Sequence, residues 1–130
     1  MKGEGGRPKV GSVSMMLGVR PRDIPVSSKG EVLPGTGGLS VYAGLRDIPP
    51  HMIPSRLQAT VPDAAGDDKL FVWAMGEGVF SAAPVATSLM LQLDPTDPKH
   101  GLIEPDAIMT LEEYQMALAA TKERWEVDER

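Results

Sequence analysis

The sequence predicts an α+β fold, a mixed or antiparallel β-sheet with one amphipathic C-terminal helix packed on it. Short apolar runs outnumber helical patterns, glycine and proline punctuate the chain throughout, and TLEEYQMALAATKERW is the clearest helical pattern present. With 14 glycines and 12 prolines in 130 residues, one position in five is unwelcome inside a helix or a central strand, so the elements must be short. That length suits one domain around one hydrophobic core.

The first residues, MKGEGGRPKVGS, have no apolar period and read as a flexible arm over 1–12, leaving a single domain over 13–130. Val13 to Val19 is a short apolar run between Gly11 and Pro21 and predicts a first strand ending at Arg20. SSKGEVLPGTGG is turn-forming and delivers the chain into LSVY, a second strand with Ser40 and Tyr42 on one face and Leu39 and Val41 on the other. RDIPPHMIP, with prolines at 49, 50 and 54, predicts an extended, polyproline-like connection. SRLQATVPDAAGDD fits either a helical turn or an edge strand.

Leu70 to Met75 is aromatic and β-branched and predicts a strand stopped by the glycines of GEG. Val85 to Leu93 predicts another, ended by the DPTDP turn, and HGLIEPDAIM a further short strand interrupted at Pro105. Leu111, Tyr114, Leu118, Thr121 and Trp125 recur at steps of three and four, which predicts a helix from Leu111 to Trp125. Thr110 and Glu113 have the spacing of a capping box at its start.

Composition narrows the function. No cysteine means no disulfide, thiolate zinc site or thiol nucleophile, and the two histidines, His51 and His100, lack an HExxH context, so no metal site is expected. There is no GxSxG elbow, and no Walker lysine follows PGTGG. No apolar run approaches the ~18 residues of a membrane span, and no secretory h-region follows the basic start. A net charge of −5 disfavours nucleic acid as a partner. The charge is uneven: five bases and one acid lie in 1–22, eight acids and three bases in 104–130, a distribution in which the two ends attract or solvate their own surfaces.

Two segments carry candidate chemistry. In PGTGGLSVY the glycines either turn a hairpin or present amides to a pyrophosphate at Gly35, Gly37 and Gly38, and Ser40 and Tyr42 share a face that could line a groove. In HGLIEPDAIM, Glu104 precedes a strand-breaking proline and so falls near a strand end.

PGTGGLSVY, followed by HGLIEP, a methionine and a helix ending in RW, resembles the small type VI-secreted cytotoxic effectors with an ADP-ribosyltransferase-like fold, over about a third of the chain. The resemblance implies a split β-sheet with a nicotinamide cleft and an NAD-dependent ADP-ribosyltransferase or NAD glycohydrolase toxin. NAD would be the cofactor and a neutralising immunity or antitoxin protein the partner. The site of action would be the cytoplasm, or a target cell reached without a signal peptide. It implies Arg20, with Arg22 equally available, as a phosphate clamp, and Ser40 or Tyr42 on the second strand, Tyr42 stacking on nicotinamide. Glu104 would stabilise an oxocarbenium-like ribose, and His100 would make a further polar contact. The alternative is a non-catalytic interaction module in which RDIPPHMIP, through Met52 and Ile53, and the acidic C-terminal helix form a binding surface.

Overall fold

Every strand pair is antiparallel in the computed structural model, which describes residues 1–76 and 79–130. In chain order the strands are β1 (Gly3–Glu4), β2 (Arg7–Pro8), β3 (Glu31–Val32), β4 (Leu39–Tyr42), β5 (Trp73–Met75), β6 (Ala83–Ala86), β7 (Leu89–Asp94), β8 (Asp97–Pro105) and β9 (Met109–Thr110); helix α1 (Leu111–Ala119) and β10 (Trp125–Val127) follow. The main sheet runs β4-β8-β7-β6, and β1 with β2, β3 with β9, and β5 with β10 form separate two-stranded ladders. The fold is therefore α+β, and of the mixed or antiparallel sheet that the sequence predicts it takes the antiparallel form.

α1 covers one face of the main sheet. Tyr114 and Leu118 are buried among Leu89, Leu91, Ile103 and Trp125. The phenol of Tyr114 donates to Ile103 O at 2.5 Å and accepts from Leu39 N at 3.3 Å, so the helix is pinned into the ladder between β4 and β8. Both halves of the predicted capping box are present: Thr110 Oγ1 accepts from Glu113 N at 3.0 Å, and Thr110 N donates to Glu113 Oε1 at 3.1 Å.

The helix ends six residues before the predicted limit of Trp125. Thr121 Oγ1 bonds back to Leu118 O and accepts from Trp125 Nε1, and Trp125 enters β10 opposite Met75. Of the predicted stripe Tyr114, Leu118, Thr121 and Trp125 are buried and Leu111 is half-buried, with the last member held by a distant strand rather than by helical turns.

Other elements differ as well. Val13 to Val19 is an irregular segment, bridged only at Leu17 to Val10. The amide of Gln115 takes the place of a strand partner for Val19, accepting from its N–H at 3.0 Å and donating to its carbonyl at 2.8 Å. Residues 1–12, expected as an arm outside the core, form the β1–β2 hairpin, with Pro8 buried and Arg7 paired to Glu123 at 3.1 Å, which joins the basic start to the acidic end.

Val85 to Leu93 is two strands, folded back at Thr87 and Ser88 with Ser88 at a φ of 68°. The proline-rich connection coils into 3-10 turns at Leu45–Asp47, Pro50–Met52 and Ser55–Leu57, the last two opened by Pro49, Pro50 and Pro54, which supply a preset φ and need no donor at a turn start. These turns enclose a second apolar cluster of Leu45, Ile53, Val61, Ala64 and Val72. Of the GEG stop, Glu77 and Gly78 lie outside the described residues. Among the described residues no helix is long and apolar enough to cross a membrane.

Candidate functional site

β4 is an edge strand, and its register against β8 explains the site. Ala43 N donates to Lys99 O at 2.9 Å in the same register as the pairs Val41 with Gly101 and Leu39 with Ile103. The alternation of an antiparallel ladder then makes Tyr42 with His100, and Ser40 with Leu102, non-hydrogen-bonded pairs. Such pairs approach most closely, with Cα atoms about 4.5 Å apart, so facing side chains touch. Tyr42 and His100 accordingly stack, ring centroids 5.0 Å apart and planes inclined by 29°.

His100 is held at both nitrogens. Its Nε2 lies 3.3 Å from Ser40 Oγ, in the next non-hydrogen-bonded pair of the ladder. Its Nδ1 lies 3.1 Å from Asp94 Oδ2, across the β7–β8 turn. The other oxygen of Asp94 accepts from Thr96 N and from Thr96 Oγ1, each at 2.8 Å. The Thr96 amide first, and His100 after it, hold the Asp94 carboxyl down at about 2. Burial pushes the Tyr42 phenol above its ordinary range, opposed by its hydrogen bond to Ser40, so the ring stays protonated.

A cleft of about 820 Å³ runs along the same edge strand, lined by Ser40 and Tyr42, by Arg20 and by the aromatic residues Phe71, Trp73 and Phe80. That volume lies within the usual range for small-molecule sites, about 300–1,000 Å³. Leu39, Val41, Leu91 and Ile103 also line it. Strand alternation turns those side chains to the face opposite Ser40 and Tyr42, so the cleft and the contact with His100 meet at β4.

No protein family model, curated protein or solved structure matches this chain.

The candidate residues divide into those the fold gathers and those it separates. Ser40, Tyr42 and His100 are in direct contact, and Arg20 lines the adjoining cleft. Arg20 sits in an irregular segment rather than on a strand and is clamped by Asp23, Nε at 3.2 Å and Nη2 at 3.1 Å, which raises its pKa further. Its Nη1 has no protein partner among the described residues; Arg22 is exposed.

Glu104 is only 5% exposed and accepts from Gly35 N at 3.2 Å. It shares the strand face of His100 but lies four residues further along, roughly 13 Å at the ordinary rise of a strand. Burial raises its pKa, with the Gly35 amide opposing.

Of the three glycine amides that could turn a hairpin or meet a pyrophosphate, two are taken by protein. Gly35 N serves Glu104, and Gly38 N donates to Asp23 O at 3.0 Å. Gly37 is required by its φ of +152° and because a Cβ there would stand 2.2 Å from Asp23 O; a Cβ on Gly38 would stand 2.5 Å from Ile103 O. Their absent side chains admit neighbouring backbone.

Asp94 is the member of the group that sequence reading leaves among the turn residues of DPTDP. Its signal is the spacing to His100 around an antiparallel turn, legible once the β7–β8 register is known. Among the described residues no cluster of three or more His, Cys, Asp or Glu could hold a metal ion.

Proposed function

We propose that this chain consumes NAD, breaking the bond between nicotinamide and ribose and passing ADP-ribose to an acceptor or to water. One observation supports this above the others: PGTGGLSVY and HGLIEP, the segments that carry the resemblance to ADP-ribosyltransferase-like effectors, pair as β4 and β8 and bring Ser40, Tyr42 and His100 into contact. The adjoining cleft suits a dinucleotide. Phe71, Trp73 and Phe80 offer faces for flat rings, and Arg20 offers a cation for phosphate. In this reading Glu104 holds the glycine turn through Gly35, and the carboxylate beside the reacting edge is Asp94.

An interaction role through RDIPPHMIP has less support, because Ile53 is 0% exposed and unavailable to a partner. A protein that neutralised the NAD-consuming activity would have to cover the edge of β4.

The test is calorimetric titration of the purified chain with NAD, together with growth and cellular NAD on expression in a bacterial host. The reading expects binding that Arg20→Ala weakens, and a fall in cellular NAD and growth that His100→Ala abolishes. No binding at millimolar NAD, with cellular NAD and growth unchanged, would overturn it.

A further inference from the structure

We propose that Asp94 is a positioning residue of this site: it holds His100 in the tautomer whose Nε2 takes a proton from a hydroxyl, so the acceptor of the transferred group is water or an alcohol. The chemistry of the partners fixes the hydrogen positions. An ionised carboxylate only accepts, so Nδ1, 3.1 Å from Asp94 Oδ2, must carry the hydrogen. In the neutral ring the lone pair is then on Nε2, directed at Ser40 Oγ 3.3 Å away. Stacking on Tyr42 limits rotation of the ring.

A turn role alone does not account for Asp94. The DPTDP turn uses Oδ1, which accepts both bonds from Thr96. Oδ2 is directed at the imidazole instead. An orienting acid, a histidine and a hydroxyl in series is the arrangement by which a side-chain base is kept in one tautomer.

The step balances without a further reactant. The ribose C1′–N bond breaks and nicotinamide leaves with the electron pair as a neutral molecule. The acceptor oxygen bonds to C1′, and its proton passes to Nε2, directly or through Ser40 Oγ. The imidazolium so formed is stabilised by Asp94 and returns the proton to solvent. The leaving group rests on the NAD reading; the tautomer does not.

The experiment is nitrogen NMR of the full chain with labelled histidine, simplified by there being two histidines, with His51→Gln to assign the signals. In the wild type at a pH where the ring is neutral, His100 should show hydrogen on Nδ1. Asp94→Asn keeps an oxygen for Thr96 but presents an amide to Nδ1, and should move the hydrogen to Nε2 while lowering kcat for NAD at least tenfold with KM little changed.

A wild-type ring with hydrogen on Nε2, or an unchanged tautomer or kcat in Asp94→Asn, would overturn the role of Asp94. Should the variant not fold, the wild-type tautomer decides. Should the wild type not consume NAD, the NAD reading falls alone and the tautomer comparison still decides the place of Asp94.

Discussion

Tyr42 and His100 face each other across a non-hydrogen-bonded position of the β4–β8 ladder, with ring centroids 5.0 Å apart. The contact joins two distant segments through strand pairing, and His100 also reaches Ser40, 60 residues away on the same strand as Tyr42. Tyr42→Ala should remove the stack at a cost of about 0.5–1.5 kcal/mol in stability. It should also free the His100 ring, visible as averaging of its NMR signals. An unchanged ring environment would mean that the stack does not hold the imidazole.

Tyr114→Phe tests the pin between helix and sheet. Tyr114 is 0% exposed, and its hydroxyl stands between Leu39 N and Ile103 O. Removing it leaves both without that partner at a buried position, a loss of about 1–3 kcal/mol. Chemical denaturation should show this as a lower midpoint with an unchanged slope; an unchanged midpoint would mean that the ladder closes without the phenol.

Glu104 gives a pH dependence of known sign. Its folded pKa is raised by burial, so its contribution to stability is fully present below its unfolded pKa, about 4.3, and is lost as pH rises through the raised folded value. Glu104→Gln, which can still accept from Gly35 N, should therefore melt higher than the wild type at neutral pH, and the difference should shrink as pH falls toward 4.3. A lower midpoint at neutral pH would show that the charge is stabilising.

Gly38→Ala should be costly, because its Cβ would stand 2.5 Å from Ile103 O at the end of the β4–β8 pairing. The expected loss is about 1–3 kcal/mol by denaturation. A neutral result would imply that β4 can shift away from β8.

Local features of this fold were legible in the sequence. LSVY, the DPTDP turn and the Thr110–Glu113 capping box each depend on neighbours within a few residues, and each is where the pattern puts it. The misread boundaries depend on distant partners. Thr121 and Trp125 continue a helical spacing, yet Trp125 leaves the helix because β5 offers it a ladder. Val13 to Val19 looks like a strand, yet Gln115 supplies the hydrogen bonds a strand would have sought. The fold-back at Ser88 lacks the glycine or asparagine that usually announces a positive φ.

The site divides in the same way. Ser40, Tyr42 and His100 were legible because they flank recognisable segments, and β4 pairing with β8 brings them together. Gly37 and Gly38 stand out in the sequence for freedom of backbone, whereas the fold uses that freedom for close packing. Asp94 was hidden, since a turn aspartate becomes a partner of His100 only when the β7–β8 register is known.

We propose the edge of β4 as a reaction centre for NAD. The most direct measurement is nicotinamide release from NAD by the purified chain, in the wild type, Ser40→Ala and His100→Ala, with folding of each verified by circular dichroism. The wild type should release nicotinamide, and release should fall at least tenfold in both folded variants, in line with the usual contribution of general acid–base groups. No release by the wild type, or equal release by all three, would contradict the proposal.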